Sequence, residues 1–188
     1  MSKPRAAVFA SGTGSNFEAL MEAEDLACDI VLLVCDQPNA KVVEKAAKHN
    51  VPTFLFQAKD YPSKEAYEQI IVEKLEQLEV EWIFLAGYMR IIGRVLLEAY
   101  EGKIVNIHPS LLPAFPGKDA IGQAFAANVQ KTGVTIHYVD EGIDTGPIIA
   151  QEEVPVYEND TKETLQQRIQ KVEHQLYPKT INKLLSNQ

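Results

Sequence analysis

The residues best placed to do chemistry are Asn106 and His108, two apart at the end of the apolar run Ile104-Val105-Asn106-Ile107-His108. In a strand, positions two apart project from one face, so the amide and the imidazole stand side by side. Pro109 biases His108 toward an extended conformation, which suits the carboxyl end of a strand. A second polar cluster lies at Thr135 and His137, on one face of a run that ends at Val139 and opens into Asp140-Glu141-Gly142-Ile143-Asp144-Thr145-Gly146-Pro147. Two glycines, a proline and three acids mark an ordered turn. If the two runs are neighbours, Asp144 and His108 form an acid/base pair while Asn106 offers an amide N–H to a developing oxyanion. Acyl transfer to an amine requires those parts: proton removal from the attacking nitrogen, stabilisation of a tetrahedral alkoxide, and protonation of the leaving nitrogen. A two-histidine, one-carboxylate metal site of His108, His137 and Asp144 is the competing reading. Against it, Asn106 and Thr135 suit hydrogen bonding better than a metal shell.

A different chemistry is suggested near the start, where Ser11-Gly12-Thr13-Gly14-Ser15-Asn16 joins an apolar run to a helical pattern. Ser15 and Glu18 have the spacing of a capping box, which places a helix N-terminus at the end of the glycine loop. Unpaired N–H groups and the positive end of the helix dipole favour an anion there, and the two glycines let it approach the backbone. Asp36, just past the second apolar run, mimics the acid that holds a ribose in dinucleotide folds. The third glycine of that fingerprint is absent, however, because Phe17 takes its place. A single phosphomonoester therefore fits better than a pyrophosphate, with a plain tight turn as the alternative.

Strands and helices must alternate to position these groups. Strands are expected at Arg5–Ser11, Ile30–Cys35, Thr53–Phe56, Trp82–Ala86, Ile104–His108, Val134–Val139 and Ile148–Pro155. Helices are expected at Asn16–Ala23, Ala40–His49, Lys64–Leu78, Ile92–Tyr100 and Ile121–Asn128. Near-continuous apolar strands such as Ile30–Val34 suit a sheet covered on both faces. The alternation predicts an α/β fold with a doubly wound, mostly parallel sheet and right-handed crossovers. A last helix is expected after Asp160, which has the spacing to cap it with Glu163 reaching back. Its apolar stripe is Leu165, Ile169, Val172 and Leu176, and Pro178 is expected to end or kink it near Tyr177.

The chain has 188 residues, 46% of them hydrophobic and 23% charged, which suits one domain with a substantial core. It is read as a single domain over 1–188, with a phosphate-loop half to about residue 100 and a catalytic half from about 101. A formal charge of -8 argues against nucleic acid as a partner, which demands a concentrated basic face. No apolar run approaches the roughly 20 residues needed to cross a bilayer, and the stretch ending at Ala10 is too short for a signal peptide. Cys28 and Cys35 read as reduced, buried thiols, so a cytoplasmic location is expected.

Four segments together resemble the phosphoribosylglycinamide formyltransferases, a folate-dependent family within the formyltransferase superfamily. They are Ser11–Asn16, Leu85-Ala86-Gly87-Tyr88-Met89-Arg90-Ile91, Asn106-Ile107-His108-Pro109-Ser110-Leu111-Leu112-Pro113, and Gly133 through Pro147. The resemblance runs in order from about Val8 to Pro178, and the last two segments are long and specific. It implies a Rossmann-like formyltransferase fold, 10-formyltetrahydrofolate as formyl donor, glycinamide ribonucleotide as acceptor, and no metal. It implies Asn106, His108 and Asp144 as the catalytic three, with Thr135 and His137 in support. The acceptor phosphate is assigned to Gly12, Thr13, Gly14, Ser15 and Asn16, and the acceptor's glycinamide and ribose end partly to Glu173. The pterin and formyl end of the donor is assigned to Met89, Arg90, Ile91 and Ile92, with Asp140, Glu141, Gly142, Ile143 and Asp144 closing over it. Lys64 stands where relatives often carry an arginine for the donor's outer carboxylate, keeping the charge but not the bidentate fork. Lys171 is the nearest candidate to assist with the phosphate. The expected partners are small molecules, with no membrane, for a monomer or homodimer. A formyltetrahydrofolate deformylase of the same superfamily resembles this chain, but normally carries an extra N-terminal regulatory domain. A methionyl-tRNA formyltransferase would need a further C-terminal domain and a basic surface. A non-catalytic nucleotide-binding module would leave the pairing of Asp144 with His108 unexplained.

Overall fold

The alternation of short apolar runs with amphipathic segments resolves, in a computed structural model describing residues 2–187, into one seven-stranded sheet with helices on both faces. Met1 and Gln188, the ends of the expected 1–188 domain, lie outside the described residues. In chain order the elements are β1 (Arg5–Ala10), α1 (Ser15–Glu22), β2 (Asp29–Cys35), α2 (Lys41–Lys48), β3 (Thr53–Leu55), α3 (Lys64–Gln77), β4 (Trp82–Leu85), α4 (Arg94–Ala99), β5 (Ile104–His108), α5 (Ala120–Ala126), β6 (Lys131–Tyr138), β7 (Ile148–Pro155) and α6 (Lys162–Ser186). The strand order is β3-β2-β1-β4-β5-β6-β7. The first five strands are mutually parallel, and β6 and β7 add on antiparallel. The order reverses between β1 and β4, where an open α/β sheet offers a crevice beyond its strand ends. None of the described helices is long and apolar enough to cross a membrane.

Strand alternation divides the core in two. Ala6, Val8 and Ala10 of β1 face one way and pack with Phe17 and Leu20 of α1, Val42 of α2, and Leu165, Ile169 and Tyr177 of α6. Ala7 and Phe9 face the other way, toward Tyr67, Ile71 and Leu75 of α3 and Leu96 of α4. Tyr177 is fully buried, and its hydroxyl donates to the carbonyls of Leu85 in β4 at 2.7 Å and Val105 in β5 at 3.3 Å. Along β5, Ile104 joins the second cluster, so Asn106 and His108 share its face. That cluster ends at Ile104 and the partly buried Val139, leaving the face open above the end of β5.

Three local expectations are corrected. Ser15 does not cap α1: the cap position is Gly14, in a left-handed conformation with φ 75° and without a side-chain bond. Glu18 instead pairs with Lys45 and Lys48 of α2. Asp160 does not cap α6: Thr161 does, in a reciprocal box with Thr164, while Asp160 binds Arg168. Pro178 does not end α6, which continues to Ser186. Burial of Thr180, Ile181 and Leu185 beyond the proline offsets the backbone hydrogen bond that its ring removes. A smaller shift affects α4, which begins at Arg94 rather than Ile92. Its N-terminus is held by Glu68 of α3, whose carboxylate accepts from the N–H groups of Gly93 (2.7 Å) and Leu96 (3.3 Å).

Candidate active site

Antiparallel pairing places Asn106 opposite His137 and His108 opposite Thr135, so the two polar runs are neighbours. The loop after β6 returns Asp144 to the same spot. His108 Nδ1 lies 3.4 Å from Asp144 Oδ2, and His137 Nε2 lies 3.6 Å from Asp144 Oδ1. The other His108 nitrogen, Nε2, meets the carbonyl of Phe115 at 2.9 Å and must donate to it. His137 Nδ1 likewise donates to the Tyr138 carbonyl at 2.8 Å. His137 Nε2 faces both the Asn106 amide, 3.3 Å away, and Asp144 Oδ1, accepting from the first when neutral and donating to the second when protonated. At most one N–H of Asn106 is spent on orientation, and the second remains available. Asp144 Oδ2 also accepts from the Gly117 N–H at 2.8 Å. Burial raises the cost of charge on Asp144, yet His137, the Gly117 N–H and the nearby His108 outweigh it and hold the carboxyl below its usual value. Asp144 itself has φ 56°, a left-handed conformation that aspartate tolerates better than most residues.

These side chains line a cavity of about 750 Å³, bounded on one side by Gly87 through Ile92 and on the other by Pro109, Gly117 through Ile121 and the Asp140–Asp144 loop. Its walls draw on both the first hundred residues and the rest. Met89, Ile91 and Ile143 are more than half exposed, giving the mouth an apolar rim. A volume of several hundred Å³ with apolar walls and a few convergent polar groups is typical of a small-molecule site.

The glycine loop is not in that wall; it abuts it. Ser11 N donates to Gly87 O at 3.1 Å, and Ser11 Oγ accepts from the Met89 N–H at 2.9 Å. Gly14 is required twice over, by its positive φ and because a Cβ there would lie 2.5 Å from Val42 Cγ2. The first-turn N–H groups of α1 have no intrahelical partner and face out of the loop. Behind them, the amide of Asn16 donates to Glu173 of α6 at 3.4 Å. Burial pushes the Glu173 carboxyl up to about 7, against the bond from Asn16.

Comparison with known proteins decides the lineage. Residues 4–181 match the family profile described as formyl transferase. The chain belongs to the formyl transferase family. It is 59% identical over 182 residues to the phosphoribosylglycinamide formyltransferase of Bacillus subtilis (strain 168), covering 95% of this chain and 93% of that one. A solved glycinamide ribonucleotide transformylase 1 from Geobacillus kaustophilus superposes with a TM-score of 0.95 at 60% identity, covering 97% of this chain and 99% of that chain. The trifunctional purine biosynthetic protein adenosine-3 of Drosophila pseudoobscura pseudoobscura is 42% identical over 98% of this chain, which spans 14% of that much longer protein.

In this formyl transferase the expected site residues fall into distinct places. Asn106, His108, His137 and Asp144 converge, and Met89, Arg90, Ile91, Ile92, Asp140, Gly142 and Ile143 join them around the cavity. Glu141 is exposed and lies outside that wall. Thr135 is fully buried and acts from below: its hydroxyl donates to Ser110 O at 2.7 Å and accepts from the Leu112 N–H at 3.1 Å, bracing the chain after His108. Lys64 also lies behind the wall, its ammonium donating to Ile91 O at 2.8 Å. Lys171 is exposed on α6. Asp36 is not a free ribose acceptor; its buried carboxylate is taken up by Ser11 and Arg90. Two contributors carried no advance signal, the Phe115 carbonyl and the Gly117 N–H. Gly117, with φ 82° after Phe115-Pro116, offered only the generic mark of a turn.

Proposed function

We propose that this chain transfers the formyl group of 10-formyltetrahydrofolate to the amine of glycinamide ribonucleotide; the names of its relatives support the formyl group and the acceptor. The observation that carries the reading is the convergence of Asn106, His108 and Asp144 at the inner end of a cavity that abuts the anion-favouring glycine loop. The acceptor phosphate rests on Gly12–Asn16, with its ribose toward Glu173. The donor's pterin lies along Met89–Ile92 under the Asp140–Asp144 loop, and Lys64 holds Ile91 in that wall with donors to spare for the outer carboxylate. Held in this way, the amine attacks the formyl carbon directly. The available Asn106 N–H bonds the new alkoxide, in a position where one well-aimed donor typically contributes about 3 kcal/mol. The ionised Asp144 orients His108, and the pair takes a proton from the amine and returns it to the donor nitrogen as the carbon–nitrogen bond breaks. The reaction is then balanced, without a covalent enzyme intermediate or a metal.

The decisive assay is purified protein with 10-formyltetrahydrofolate and glycinamide ribonucleotide, beside a reaction lacking the acceptor. Acceptor-dependent formyl transfer is expected, unchanged by excess chelator. Equal donor turnover with water alone would make the protein a hydrolase, and reversible loss of activity with chelator would require a metal.

A further inference from the structure

One buried carboxylate is used by neither substrate in the reading above. Asp36 follows the end of β2 and is 3% exposed. Its Oδ1 accepts from the Ser11 hydroxyl at 2.5 Å, and its Oδ2 from Arg90 Nε at 2.8 Å. The side chain of Gln37 adds a longer contact to Oδ2 at 3.4 Å. Ser11 Oγ accepts in turn from the Met89 N–H, so three hydrogen bonds tie the glycine loop to two consecutive residues of the cavity wall, to Met89 directly and to Arg90 through Asp36. It crosses the place where the strand order reverses, between the loops that leave β1 and β4. Removing the carboxylate would leave a half-buried guanidinium without its partner and free the serine hydroxyl to rotate.

We propose that Asp36 is a positioning residue that couples the two ligand sites, so that each substrate binds more tightly when the other is present. The inference rests on the formyl-transfer reading of those sites. Ligand on the glycine loop fixes Ser11, which holds Met89 directly and passes that order through the Asp36 carboxylate to Arg90. The second ligand then meets a wall whose ordering has already been met in part. The Arg90 guanidinium, on this account, is a strut rather than an anion ligand. A second brace supplies the contrast: Glu68, from α3, holds the chain just beyond the same wall, at Gly93 and Leu96, with no bond to the glycine loop.

The test is calorimetric. Affinity for glycinamide ribonucleotide is measured alone and with a saturating folate analogue that has no transferable formyl group, for the unaltered protein, Asp36→Asn, Ser11→Ala and Glu68→Gln. The unaltered protein should bind the acceptor at least about 5-fold more tightly with the analogue present, the lower end of usual coupling. In Asp36→Asn and Ser11→Ala that ratio should fall toward one, whereas Glu68→Gln should weaken the analogue and keep the ratio. In turnover, Asp36→Asn should raise KM for both substrates and leave kcat largely intact. A ratio of one in the unaltered protein, its retention in Ser11→Ala, or an equal loss in Glu68→Gln would overturn the coupling role. Ser11→Ala carries the test if Asp36→Asn does not fold. An active enzyme whose ligands bind independently defeats this inference alone, whereas an unaltered protein without formyl transfer defeats both.

Discussion

The glycine loop after β1 and the Asn106–His108–Asp144 cluster beyond β5 have β4 between their strands and are built on opposite plans. The loop presents backbone: its donors are N–H groups, and Gly14 is fixed by a φ of 75° and by the closeness of Val42. The cluster presents side chains, three of them oriented by backbone groups: the Phe115 carbonyl for His108, the Gly117 N–H for Asp144 and the Tyr138 carbonyl for His137. A site made of backbone tolerates changes of side chain and fails when its conformation changes. A site made of side chains fails atom by atom.

The largest effect should come from the cluster. Asn106→Ala is expected to lower kcat by about 10²–10³ with donor affinity little changed, because it removes a donor that matters chiefly in the transition state. Asp144→Asn should be comparably harmful, keeping shape without charge. Near-normal kcat with intact folding in either variant would end that residue's assigned role. Next comes the loop. Gly14→Ala forces an unfavourable conformation and a contact with Val42, and should cost about 1–3 kcal/mol in thermal unfolding. It should also raise KM for the acceptor more than for the donor. The substrate-side counterpart is the acceptor without its 5′-phosphate, which should show a strongly raised KM. Equal turnover of that compound would break the contrast between the two regions.

A third prediction concerns Glu173, behind the loop. Its carboxyl is raised in the folded state from 4.5 to about 7, so between those values the folded protein holds a proton that the unfolded chain has released. Stability should therefore fall as pH rises from about 4.5 through about 7, by a few kcal/mol at most. Glu173→Gln should flatten that slope in denaturant titrations and leave the protein more stable at pH 8; an unchanged slope would show that the group does not titrate there. The smallest effect is expected from Cys28→Ala/Cys35→Ala. Both thiols are buried, Cys28 is pushed up to about 12 by burial, and neither approaches His108 within hydrogen-bonding reach. Near-normal kcat with slightly reduced stability is the expected outcome, and loss of turnover in a folded double variant would demand a thiol in the mechanism.

Legibility in the sequence follows the range of the interactions involved. The apolar run Ile30–Val34 announced a sheet covered on both faces, and the two-residue spacing of Asn106 and His108 placed them on one face. Periodicity carries both signals. Capping was less legible, because spacing alone cannot choose among rivals. Ser15 and Glu18 had the spacing of a box, but Lys45 and Lys48 from the next helix claimed Glu18, and Arg168 similarly claimed Asp160. The Asp36–Arg90 pair spans 54 residues and Glu68 reaches α4 from 25 residues away. Such contacts exist only once the sheet order is set, and no local pattern encodes them.

The hydroxyl of Tyr177 has a consequence for how the molecule opens. By bonding the carbonyls of Leu85 and Val105, it ties the last helix to two central strands. The C-terminal end of a chain ordinarily frays first. Here the amides around Tyr177 should exchange with solvent only as fast as those of β4 and β5, in one cooperative unit. A chain cut before Tyr177 would then lose the protection of its central strands, rather than merely a tail.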